Sequence, residues 1–129
     1  MAMDVRTREV QALDAAREFA AALAETAEYQ AFEQAQLALR RDQVAQDAIR
    51  AFQDKQQALV WELRLGLVAN AERQELKALE KAMLALPTVQ AYMRAQEELS
   101  RLCGELAGII SDTIGLDFAG GCGPGCSCG

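Results

Sequence analysis

The sequence predicts an all-α protein: a small bundle of about five helices with a long C-terminal helix and a disordered or metal-organised Cys/Gly-rich tail. Three observations carry that reading. The first 65 of 129 residues contain neither glycine nor proline, the strongest helix breakers. Apolar residues recur at steps of three and four, while strand-type alternation is nearly absent. Five of the nine glycines fall in the last ten residues, beside Pro124. A helical domain over 1–116 therefore gives way to a Gly/Cys-rich tail over 117–129 that cannot be helical.

The first helix is expected over 8–24, with Thr7 as its cap and Leu13, Ala16, Ala20 and Leu23 on one face. The second spans 27–40, where Tyr29 and Phe32 share a face with Gln36 or Leu39. Arg41-Asp42 reads as a short break, because Asp42 can accept the free amides that open the next helix. The third helix is expected over 43–67. Its stripe of Ala45, Ala48, Phe52, Leu59 and Leu63 is widened by Ile49, Val60 and Trp61. Gly66 and Asn70 bracket a turn. Glu72 then places negative charge in the first turn of the fourth helix, where the dipole favours it. Leu76, Leu79, Met83 and Leu86 form that helix's apolar face. Pro87 ends it and suits the first position of the next. The fifth helix, 88–114, carries a seam of Val89, Tyr92, Gln96, Leu99, Cys103, Leu106, Ile110 and Thr113.

Composition limits what such a domain does. Hydrophobic residues make up 51% of the chain, 25 of them alanine, and Leu, Ile, Val and Phe together number 30. One domain of this size is expected to bury roughly two thirds of its unfolded surface. There is no histidine, which excludes Ser-His and Cys-His dyads, His-ligated metals and an HExxH helix. The net charge of −6 argues against direct nucleic-acid binding, which rests on Lys and Arg neutralising phosphates. Arg40-Arg41 and Arg64 are too sparse for an RNA track. No stretch approaches the ~20 apolar residues of a membrane span. The first seven residues lack the basic-then-apolar order of a secretory signal. A soluble cytoplasmic protein is expected, not an enzyme, with cysteines held as thiols or ligands.

Carboxylates such as Glu72, Glu75, Glu80, Glu97 and Glu98 read as solvated helix faces, since a ferritin-like site needs histidine. Trp61, Phe52 and Tyr92 read as core or interface anchors. Gln96 either fixes register between chains or meets water at the seam's edge. Gly104 and Gly108 either admit a second helix or only weaken their own by ~1 kcal/mol each.

The cysteines concentrate the reactive chemistry. Cys122, Cys126 and Cys128 form C-x3-C-x-C, and thiolates are soft ligands for iron–sulfur clusters and zinc. The surrounding glycines let backbone fold closely around an ion and offer amides to sulfur. Such a site takes either an iron–sulfur cluster of the 4Fe–4S type or zinc. The spacing is not the C-x2-C of common ribbons and ferredoxins, and a tetrathiolate site needs a fourth donor. Cys103 is one candidate and a second chain another. Between Leu99 and Leu106, however, Cys103 reads first as a small core hydrophobe. The tail has two other readings. It is a flexible thiol-bearing end, or the cysteine-rich core of a ribosomal peptide precursor cleaved after Gly121.

The order Glu28-Tyr29-Gln30-Ala31-Phe32, Asp42, Phe52-Gln53-Asp54-Lys55-Gln56, Gly66, Pro87-Thr88-Val89, Tyr92 and Glu97-Glu98-Leu99 resembles the YlbF/YmcA (Com_YlbF-type) regulators of Gram-positive and related bacteria. The resemblance runs from about 13 to 114, and the tail is similar to the Cys-rich end that some YlbF-like members carry. It implies a self-associating helical bundle, hence a homo-oligomer. It further implies a non-enzymatic role with a YmcA-like paralogue and a YaaT-like (PSP1-domain) protein. In that family the complex is associated with iron–sulfur clusters and acts as a specificity factor for RNase Y in mRNA processing.

Overall fold

A computed structural model describes residues 5–118. The chain is all-α and bundle-like, with six helices and no strand among the described residues. They are α1 (Val5–Ala24), α2 (Ala27–Arg41), α3 (Gln43–Ala58), α4 (Val60–Leu65), α5 (Asn70–Leu84) and α6 (Pro87–Ile114).

The joints follow local chemistry. Thr26 opens α2, its Oγ1 accepting the Tyr29 amide at 3.2 Å and donating to the Leu23 carbonyl at 2.7 Å. Asp42 opens α3 by accepting the Ala45 amide at 3.1 Å, as expected of that residue. Gly66 ends α4 at φ 69°, and the Leu67 amide reaches back to the Glu62 carbonyl at 2.9 Å. That reversal needs the left-handed backbone glycine supplies. Pro87 occupies the start of α6.

Pairing is antiparallel. α3 packs along α5 and α2 along α6, while consecutive helices barely touch beyond their joints. Three pairs of residues give the register. Lys55 Nζ lies 3.1 Å from Glu75 Oε2, Thr88 Oγ1 donates to Asp42 Oδ2 at 2.7 Å, and the Phe32 and Tyr92 rings sit 5.4 Å apart. Further on, Phe19 and Leu23 lie beside Leu106 and Ile110. The molecule is thus a long hairpin of two kinked rods, α1–α2–α3 and α5–α6. The segment around α4 is its tip, and α1 with the second half of α6 its base. On that register α6 ends level with the middle of α1, so the first turns of α1 have no helix opposite them.

Four expectations are corrected. The third predicted helix, 43–67, is two helices, α3 and α4, broken at Leu59 (φ −101°, ψ 2°). No glycine or proline marks that break; Leu59 turns inward there and is buried. Thr7 is not a cap, since α1 already runs from Val5. The seam of α6 holds at Val89, Tyr92, Leu99, Leu106 and Ile110, but Ala95 and Leu102 replace Gln96 and Cys103, and Gln96, Cys103 and Thr113 are exposed. Lastly, the interior is thin. Among the described residues only Ala45, Leu59, Val68, Val89 and Ala95 are buried, and no large side chain is fully enclosed.

Candidate functional site

Because the interior takes so little, many large apolar side chains are exposed. At the tip, Trp61, Leu65 and Leu67 are 70%, 67% and 72% exposed. The short helix α4 and its glycine stop hold them there. The guanidinium of Arg64 lies over the Trp61 ring, 5.6 Å from its centroid, a cation–π contact that orients both groups in water. At the base, Val5, Val10, Ile109, Ile114 and Leu116 are all more than half exposed. Every residue of α1 from Val5 to Ala22 is exposed. Contiguous exposed apolar patches mark interaction surfaces.

Between these ends the two rods are latched. Asp42 takes the Thr88 hydroxyl on one oxygen and the Ala45 amide on the other. The Thr88 hydrogen bond first, then the backbone amides, hold its carboxyl below the ordinary value of 3.8. Gln46 Nε2 donates to the Leu39 carbonyl at 2.9 Å across the same joint. The Phe32–Tyr92 ring pair, tilted at 40°, packs nearby.

Cys103 is a free, exposed thiol and not the core residue its apolar neighbours suggest. It nonetheless borders a small apolar cleft with Phe19, Leu106, Ile110 and Phe118. Phe118 arrives there because the chain reverses after α6. Gly115 takes φ 71°, and the Phe118 amide donates to Ser111 Oγ at 2.9 Å. Cys122, Cys126 and Cys128 lie outside the described residues. Among the described residues no three or more His, Cys, Asp or Glu side chains gather as a metal site. No helix among them is long and apolar enough to cross a membrane.

Other sequence candidates are distributed as follows. Tyr92 is an internal anchor, Phe52 is half-buried and Trp61 is open. A Cβ at Gly104 or Gly108 would meet nothing within 4 Å among the described residues, so none of the described helices approaches them closely. Leu65 and Leu67 escaped the sequence reading because the helix was drawn through them. The signal that finds them is Gly66 itself, which stops the helix between Leu65, its last residue, and Leu67, the first beyond the stop.

These features define a class: an all-helical, bundle-like protein that leaves many of its large apolar side chains exposed, with only a thin interior. Comparison with known proteins agrees. The family described as control of competence regulator ComK, YlbF/YmcA, matches residues 12–115. A UPF0342 protein of Desulfitobacterium hafniense (strain Y51) is 31% identical over 118 residues, covering 90% of this chain and 87% of that relative. No solved structure matches significantly. The chain belongs to the YlbF/YmcA family, a regulatory family.

Proposed function

We propose that this protein is a non-enzymatic regulatory scaffold that docks with copies of itself, with a YmcA-like paralogue and with a YaaT-like (PSP1-domain) protein, and thereby modulates RNase Y-dependent mRNA processing in the cytoplasm. The observation that carries the reading is the pairing of a regulatory family with apolar surface left uncovered at both ends of the hairpin. RNA contact is indirect on this reading, as the net charge of −6 favours.

Cys122, Cys126 and Cys128 are the donors we assign to a 4Fe–4S cluster or zinc, with Cys103 as fourth ligand. Their chemistry fits, because thiolates suit either group. Cys103 supports the assignment by being a free and exposed thiol. The chain also turns back at Phe118 onto the cleft that Cys103 borders. The four residues from Phe118 to Cys122 span at most about 14 Å. When bound, a cluster would supply sensitivity to oxidants and iron supply, whereas zinc would supply stiffness alone.

Co-expression with the paralogue and the PSP1-domain protein, followed by anaerobic purification, tests both parts. A stable complex with iron or zinc that is lost in Cys122→Ser, Cys126→Ser and Cys128→Ser is expected. No complex under any condition overturns the scaffold. Equal metal in all variants and the parent overturns the thiolate site. A native mass showing cleavage after Gly121 would favour a peptide precursor instead.

A further inference from the structure

Beyond α6 the chain turns back onto the protein. The helix stops at Gly115, whose φ of 71° reverses the backbone. Ser111 Oγ then accepts the Phe118 amide at 2.9 Å. Together they bring Phe118 to a cleft of about 100 Å³, which it lines with Phe19 and Leu23 of α1 and with Cys103, Leu106 and Ile110 of α6. Phe118 is therefore shared between the two helices, and Cys103 stands at the same cleft. The ring remains 50% exposed, so burial alone anchors it weakly. Nor is α1 firmly held, since every residue from Val5 to Ala22 is exposed.

We propose, on the thiolate reading given above, that Phe118 is the link through which metal at Cys103 and the tail thiolates controls α1. Ligation by Cys103 together with Cys122, Cys126 and Cys128 closes a loop of chain that contains Phe118. With residues 103 and 122 tied at one centre, the segment between them has little freedom to carry the ring away from the cleft. A ring kept there holds Phe19 and Leu23 of α1 against Leu106 and Ile110 of α6. Thiols without metal release the loop, and the half-exposed ring and α1 loosen together. The coupling is reciprocal: whatever docking of Phe118 gains from the metal, metal binding gains from docking. Phe118 is thus a positioning residue and not a ligand, and Gly115 and Ser111 act through it. Leu116, two residues away, is 69% exposed and does not line the cleft, so it has no such part.

Hydrogen exchange of the α1 amides in the full chain, with and without metal, tests this. The protein is loaded anaerobically with Co²⁺, whose thiolate charge-transfer absorption counts sulfur ligands, or with Fe²⁺ and sulfide. Wild type is expected to bind through four thiolates and to slow exchange in α1 by about tenfold. Phe118→Ala should lose that slowing and bind Co²⁺ about tenfold more weakly, with Ser111→Ala in between. Leu116→Ala should match wild type in both. A Phe118→Ala chain that matches wild type in either respect overturns the link. Metal uptake by wild type that leaves α1 exchange unchanged, through three thiolates or four, also overturns it while the tail site stands. A wild-type chain that takes up neither cobalt nor iron overturns the thiolate reading itself.

Discussion

The middle of the hairpin and its two ends use apolar side chains in opposite ways. Around the Asp42 joint, Ala45, Val89 and Ala95 are buried, two aromatic rings meet, and a carboxylate is satisfied by a hydroxyl and an amide. At the tip and base, side chains as large as Trp61 and Ile109 stand mostly in solvent. The difference teaches that internal packing is concentrated around the joint, with Leu59 and Val68 as the buried points toward the tip. The ends carry surface of a kind that small soluble chains cover with something else.

Substitutions can break or sharpen that contrast. Leu59 and Trp61 are two residues apart, yet one is 4% and the other 70% exposed. Leu59→Ala should cost the most, about 2–4 kcal/mol in urea unfolding, because it opens space in an interior with few other large side chains. Equal behaviour of Leu59→Ala and wild type would break the contrast. Trp61→Ala should instead weaken self-association about tenfold or more, read by sedimentation equilibrium, as loss of an interfacial aromatic does. A variant that associates as well as wild type removes the tip from the interface.

Asp42→Ala should lower the unfolding midpoint by a few degrees, since it removes both a helix cap and the latch to Thr88. The pH dependence has a defined sign. The folded carboxyl titrates below its ordinary value of 3.8, so its stabilising contribution is present above that value and is lost as the pH falls below it. Midpoints measured from pH 6 to pH 3 should therefore fall less steeply in Asp42→Ala than in wild type. The smallest effect belongs to Arg101→Ala at the base. Its ion pair with Glu105, 2.8 Å long, joins side chains 58% and 61% exposed, and removal should change stability by under about 0.5 kcal/mol. A larger loss would place that pair inside an interface.

Joints with a chemical marker were legible in the sequence: Asp42, Gly66 and Pro87 each end or begin a helix where their side chains or backbone require it. The break at Leu59 was not, because no glycine, proline or capping side chain sits there and Leu59 continues the apolar stripe. The seam of α6 slipped by one residue at two places for a related reason. Ala95 is too small to mark a face by itself, while Gln96 and Cys103 fall in the strict three-four alternation and yet face water. Burial was overestimated because composition counts apolar residues without saying where they go. Of the proposed thiolate set, the C-x3-C-x-C spacing is plain in the sequence. The return of Phe118 toward Cys103 depends on the left-handed Gly115 turn and emerges only from the fold.

The central claim is that uncovered ends make folding and association one process. Thermal unfolding of the purified chain over a hundredfold range of concentration tests it most directly, because association stabilises the folded state by mass action. The account predicts a midpoint that rises steadily with concentration. A midpoint that stays constant over the whole range, in a chain of monomeric mass, would contradict it.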